Sequence, residues 1–147
     1  MMFLPDVNVL LYAIDSSAPQ HPACRDWLND ALNAEEPLGW AWNVLLGFLR
    51  ISTNPKVLAT PLTIAEAFAY IEEWLTQPPS RIVEPSVRHG VILRGLLEAV
   101  GSGGNAVSDA HLAALAIEYQ GKICSCDADF ARFPGLAWFN PLTAGSN

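Results

Sequence analysis

The sequence predicts an α/β fold, a three-layer sandwich in which helices flank a mainly parallel central sheet. Three observations predict it. Short apolar runs alternate along the chain with longer segments whose apolar residues recur at helical spacing, the pattern of a sheet built through helical crossovers. About half of the 147 residues are hydrophobic, enough for one domain spanning 1–147 to bury a core without disulfides or a structural metal. Carboxylates fall just after the apolar runs, at the end of the sheet where open α/β proteins bind ligands.

The first apolar run, residues 3 to 7, is a strand that ends at Pro5-Asp6, and Asn8 to Ile14 starts a helix at once. His21 to Leu32 carries Cys24, Trp27, Leu28, Ala31 and Leu32 on one face and is an amphipathic helix. Pro37 to Ala41 is a strand. Val44 to Ser52 is a buried helix closed by Asn54-Pro55, because the residue before proline avoids the helical region. Thr63-Ile64-Ala65-Glu66 is a capping box opening a helix to about Thr76, and Pro78-Pro79-Ser80 breaks the chain. Arg81 to Glu84 is a strand. Ser86 to Val100 is a helix with Val87, Val91, Leu93, Leu96 and Leu97 turned inward, ended by Gly101-Ser102-Gly103-Gly104. Val107 to Tyr119 is an apolar helix stopped by Gly121. Lys122 to Cys126 and Ala137 to Phe139 are the last strands.

Charge narrows the function. With 15 Asp and Glu against 8 Lys and Arg, the formal charge is −7, which argues against loose binding to a polyanion through clustered basic residues. It suits a carboxylate metal site and a basic protein partner. Cys24, Cys124 and Cys126 form neither a disulfide framework nor a zinc spacing, and fit small buried hydrophobes in a reducing cytosol. The apolar opening has no positive flank and contains Asp6, and no run reaches the roughly 18 apolar residues of a membrane span. The expectation is a soluble, cytoplasmic protein.

Asp6 ends the first strand, Asp109 lies in the first turn of the Val107 helix, and Asp127 and Asp129 follow the Lys122 strand. Each has a purely structural role open to it, in helix capping or a turn. Their coincidence at one sheet edge points to a hard cation, since clustered carboxylates otherwise repel and raise one another's pKa. Mg²⁺ or Mn²⁺ with oxygen ligands and retained waters meets that need.

The segments Leu4-Pro5-Asp6-Val7-Asn8-Val9-Leu10-Leu11-Tyr12-Ala13, Val107-Ser108-Asp109-Ala110-His111-Leu112 and Ser125-Cys126-Asp127-Ala128-Asp129-Phe130 resemble the PIN-domain ribonucleases of the VapC type, toxins of bacterial toxin–antitoxin pairs. So do Gly47-Phe48-Leu49-Arg50-Ile51, Phe130-Ala131-Arg132-Phe133-Pro134-Gly135-Leu136 and Asn140-Pro141-Leu142. The resemblance covers nearly the whole chain. It implies a PIN-like sandwich, usually homodimeric, that cuts RNA with Mg²⁺ or Mn²⁺ and is silenced by a cognate antitoxin. It implies Asp6 and Asp109 as metal ligands, Asp127 as the further acidic ligand with Asp129 next in line, and Asn8 and Ser125 as polar groups at the substrate.

One position departs from that pattern. Many PIN nucleases carry a glutamate where this chain has Gly47, and glycine cannot bind a metal. Asn43, Gly47 and Arg50 share a helix face, so Arg50 is a candidate to grip a substrate phosphate; close helix packing at Gly47 with Arg50 in an ion pair is the alternative. The histidines His21, His89 and His111 show no ligand spacing, and His111 reads as a surface residue. Trp40 and Trp42 flank the site, where packing is favoured over base stacking. Two rivals to the nuclease remain. One is a PIN-fold binding module that has lost catalysis. The other is a receiver-type domain, weakened by the lack of an acidic pair at the first strand and of a late-strand lysine.

Overall fold

Apolar triplets form the sheet: β1 (Phe3–Pro5), β2 (Leu38–Trp40), β3 (Ser80–Ile82), β4 (Lys122–Cys124) and β5 (Ala137–Phe139). In this computed structural model, which describes residues 1–144, they pair parallel throughout in the order β3-β2-β1-β4-β5. The last three residues of the expected 1–147 domain lie outside the described residues. The helices are α1 (Val7–Ile14), α2 (His21–Leu32), α3 (Trp42–Ser52), α4 (Ile64–Thr76), α5 (His89–Val100), α6 (Ala106–Glu118) and the short α7 (Pro141–Ala144). No described helix is long and apolar enough to cross a membrane.

Both faces of the sheet are covered, as parallel strands require. Neighbouring residues of a strand point to opposite faces. Phe3 accordingly packs edge-on against Trp27 of α2 and Phe139 of β5, with ring centroids 6.4 and 5.9 Å away. Leu4 turns the other way into the main core, fully buried with Leu38, Val44, Phe48 and Leu115. Trp40 is a core residue. It stacks on Trp74 of α4 at 5.5 Å and donates its indole N–H to Ser80 Oγ at 3.0 Å. Trp42, one residue into α3, is exposed.

The capping box at Thr63 forms in full: Glu66 N–H donates to Thr63 Oγ1 and Thr63 N–H to Glu66 Oε1. Other expectations need correction. The α5 helix begins at His89 rather than Ser86, because Ser86 spends its N–H and hydroxyl on Glu118 of α6. Val87 and Val91 do not face inward; they are 100% and 79% exposed, and Leu96, with Ile92, Leu93 and Leu97, makes the packed stripe instead. Strand β4 stops at Cys124, since the Cys126 N–H turns to the Asn8 side chain.

Gly121 does not stop α6 by taking a left-handed backbone. Gln120 does that, with φ 52°. Glycine is required at 121 for close approach: a Cβ there would stand 2.6 Å from Leu4 Cδ1 and 2.9 Å from the Met2 carbonyl. That contact lets β4 enter beside β1.

Candidate active site

Strand order reverses at β1, which has β2 on one side and β4 on the other, so a crevice opens where the chains leaving β1 and β4 diverge. Asp6 leaves β1 and Ser125 leaves β4. The register Pro5↔Cys124, with Asp6 N–H donating to the Cys124 carbonyl at 2.9 Å, brings the two exits side by side.

A fixed polar lattice follows. Ser125, fully buried, donates its hydroxyl to Asp6 Oδ2 at 2.8 Å and accepts from Asp127 N–H at 3.0 Å and Asn8 Nδ2 at 3.3 Å. Asn8 also donates to Asp6 Oδ2 at 3.4 Å and accepts the Cys126 N–H at 3.1 Å. Asp6 caps α1 as well, its Oδ1 accepting Val7 N–H at 2.8 Å. The capping role and the site role are therefore one position. Burial raises the Asp6 carboxyl above its ordinary 3.8; the Ser125 and Val7 hydrogen bonds work against this, and Asp127 adds to it.

Asp109, from the first turn of α6, faces the same cavity as Asp6, an opening of roughly 290 Å³ lined also by Asn8, Asn43, Gly47 and Arg50. Its carboxyl is pushed up to about 6, first by burial, then by repulsion from Asp6 and Asp127, with Asp129 a smaller contributor. Arg132 offsets part of this by donating to Asp109 Oδ2 at 3.2 Å. Asp127 caps a 3-10 turn (Ala128–Arg132) by accepting Asp129 N–H at 2.9 Å, and Asp129 itself is exposed in that turn.

The donor set is all oxygen. Among the described residues no three His, Cys, Asp or Glu side chains close into a metal cage by themselves. Two carboxylates, Asp6 and Asp109, nevertheless face one cavity, and the buried Asn43 Oδ1 in its wall has no hydrogen-bond partner. Repelling carboxylates with a free amide oxygen fit a hard cation that keeps several waters.

Gly47 and Arg50 look into that cavity, as their shared face predicts. Gly47 also has a packing cause: a Cβ would stand 2.8 Å from Val7 Cγ2, where α3 meets α1. Arg50 is exposed at the rim and forms no ion pair among the described residues.

Sequence reasoning missed three functional or structural polar residues. Arg132 was visible only as a basic residue after the D-x-D-F segment. His89 and Glu118 form a buried chain with His111: His89 Nδ1 meets Glu118 Oε2 at 2.8 Å and His89 Nε2 meets His111 Nδ1 at 2.9 Å. His111 is thus not a free surface residue but part of the α5–α6 contact, and burial and then His89 lower its pKa. The available signal was that His111 and Glu118 stand seven apart, on one helix face.

The hydroxyl of Ser125 is the hub of the lattice, so Ser125→Ala should lower unfolding free energy by about 1–3 kcal/mol, leaving the Asp127 N–H and an Asp6 oxygen underpaired. A denaturant midpoint unchanged from the parent would show that the lattice reorganises without it.

A family model described as PIN domain matches residues 3–136, and the chain belongs to that family. Its relatives specify the branch. Ribonuclease VapC33 of Mycobacterium tuberculosis is 44% identical over 141 residues, covering 96% of this chain and 99% of the relative. Ribonuclease VapC37 of the same organism is 42% identical, covering 95% and 97%. Among solved structures, VapBC2 from Rickettsia felis bound to a DNA fragment from its promoter aligns with a TM-score of 0.70 at 19% identity, over 95% of this chain and 98% of that one. VapBC-1 from nontypeable Haemophilus influenzae aligns with a TM-score of 0.70 at 13% identity, over 97% and 100%. These two share the fold.

Proposed function

We propose that this chain is a Mg²⁺- or Mn²⁺-dependent endoribonuclease, the toxin of a toxin–antitoxin pair. The observation that carries the proposal is the convergence of Asp6 and Asp109 on one cavity, from distant parts of the sequence, with Asp109 raised to about 6 by burial and by its acidic neighbours. The curated relatives support the substrate, since they are named ribonucleases. The VapBC complexes support an antitoxin as partner, and the net charge of −7 suits a basic one. Homodimer formation belongs to the same proposal.

Asp6 and Asp109 would hold the ion, with Asn43 Oδ1 in the same cavity wall and Asp127 adding negative charge that both carboxylates feel. A bound Mg²⁺ or Mn²⁺ supplies charge neutralisation at a phosphodiester and a more acidic ligated water. The protein's own groups do the rest. Val7 N–H and Ser125 Oγ fix both oxygens of Asp6, so the carboxylate needs no reorganisation when substrate arrives. Arg50, exposed at the cavity rim and free of ion pairs among the described residues, would take a phosphate oxygen pair. Gly47, on which a catalytically lapsed binding module would rest, has its packing cause in Val7.

Purified chain should cut RNA with Mg²⁺ or Mn²⁺, stop with chelator and resume when metal is returned, leaving 5′-phosphate and 3′-hydroxyl ends. Cleavage indifferent to chelation overturns the metal, and no cleavage with any divalent ion overturns the nuclease. Arg50→Lys keeps the charge but not the planar fork. It should lower kcat/KM by roughly tenfold, the worth of one charge-assisted hydrogen bond, without changing metal affinity. A drop in melting temperature with normal activity in the folded fraction would make Arg50 structural.

A further inference from the structure

Cys24, remote in sequence from Cys124 and Cys126, meets them behind the site. Cys24 of α2 and Cys124 of β4 are fully buried with Val9, and Cys126, partly exposed, packs against them with Tyr12 and Phe139. Two of the sulfurs touch: Cys24 Sγ and Cys126 Sγ stand 3.6 Å apart, joining positions 102 residues apart in the chain. We propose that Cys24 and Cys126 are a reversible disulfide-forming pair, oxidised by peroxide, that ties α2 to the loop carrying Ser125 and Asp127.

Geometry selects this pair. Thiols in contact need to close by only ~1.5 Å to reach the bonded sulfur separation of about 2.05 Å, within reach of side-chain rotation and a small loop movement. Cys126 lies past the end of β4, where its N–H bonds a side chain rather than a strand, so its backbone has room to move. Cys124 does not: it is paired on both sides, with Pro5 of β1 and Phe139 of β5.

Exposure sets the order of events. Peroxide reaches Cys126, whose sulfur attacks one peroxide oxygen; the O–O bond breaks, water leaves, and Cys126 becomes a sulfenic acid. Cys24, fully buried with its sulfur against that of Cys126, then displaces the sulfenic oxygen. Its thiol proton leaves with the hydroxide as a second water. Each sulfur has given one electron, and peroxide has been reduced to two waters. A dithiol reverses the bond by exchange.

The bond would reach the site through one residue. Cys126 N–H donates to Asn8 Oδ1, and Asn8 in turn donates to Ser125 and Asp6. Drawing Cys126 toward α2 loosens that lattice and slows cleavage. This consequence rests on the nuclease reading; the disulfide itself does not.

The test uses the intact chain treated with hydrogen peroxide and digested without reductant. The expected product is a Cys24–Cys126 linked peptide, lost in Cys24→Ala and in Cys126→Ser, kept in Cys124→Ala, and reversed by dithiothreitol. If Cys24→Ala fails to fold, Cys126→Ser carries the comparison. Sulfinic acid at Cys126 with Cys24 still a thiol, or only intermolecular disulfides, overturns the pair. Oxidised parent should cleave RNA several-fold more slowly than reduced parent, while Cys24→Ala keeps its rate under peroxide. A disulfide that forms with no change in rate overturns the coupling. If the reduced parent cuts no RNA, the nuclease reading has failed and the peptide map still decides the disulfide.

Discussion

Asp109→Asn is expected to abolish RNA cleavage, by about a thousandfold or more, and at the same time to raise the thermal midpoint of the metal-free protein. The two effects have one cause. Lifting the Asp109 carboxyl from 3.8 to about 6 disfavours its charged form in the folded state. At neutral pH that costs the fold on the order of 1–2 kcal/mol, once screening of this partly exposed group is allowed for. The amide removes the cost. The ion pair with Arg132, about a third open to solvent, is lost too, but the net shift already includes its opposing pull, so relief of burial and repulsion wins.

The pH dependence has a fixed sign. Below pH 3.8 Asp109 is protonated whether folded or not; as pH rises toward about 6 the folded state holds the proton longer, and stability falls. The parent should therefore melt higher near pH 4 than near pH 7 in this respect, and Asp109→Asn should flatten that part of the curve. Mg²⁺ or Mn²⁺ should raise the parent's midpoint by binding the folded state and leave the variant's nearly unmoved. Full cleavage by the variant would remove Asp109 from the site. A lower midpoint at neutral pH would mean that the Arg132 pair outweighs the repulsion.

What was legible in the sequence was whatever has a local period or a local cap. The α2 span His21–Leu32, the capping box at Thr63 and the strand Ala137–Phe139 appear as expected, because each is decided by residues within one turn or one pleat. The Asp6 position was legible too, since a carboxylate directly after an apolar strand marks the ligand-binding edge. The misses are pairings across the chain. Arg132 meets Asp109 across 23 residues, and His89 meets Glu118 across 29; no spacing announces either. Ser86 bonds Glu118 and delays the helix, which leaves Val87 ahead of it in solvent; Val91 lies inside the helix but on its outward face, off the stripe of Ile92, Leu93, Leu96 and Leu97. Gly121 and Gly47 were visible as glycines, but their neighbours Leu4 and Val7 are contacts that only the folded chain supplies.

Gly47 yields the second large effect, this one on stability. Gly47→Ala brings a Cβ to 2.8 Å from Val7 Cγ2, and valine is stiff at χ1, so α1 and α3 must part. Overpacking of this kind costs about 1–3 kcal/mol, against about 1 kcal/mol gained in helix propensity, so a net loss of up to roughly 2 kcal/mol is expected. Gly47→Glu should cost more, because it adds a charge in a buried position beside Asp6 and Asp109. Val7→Ala empties the space that the new Cβ needs. In the double variant Val7→Ala/Gly47→Ala the two losses should not add, with a coupling of about 1–2 kcal/mol by denaturant unfolding. Strict additivity would show that the helices do not interlock there. Activity should follow packing in the same series. Val7 N–H donates to Asp6 Oδ1, so a displaced Val7 carries the cavity-lining carboxylate with it. Gly47→Ala alone should weaken Mn²⁺ binding, and the double variant should recover it. Gly47 would then act by letting α1 sit where Asp6 must be.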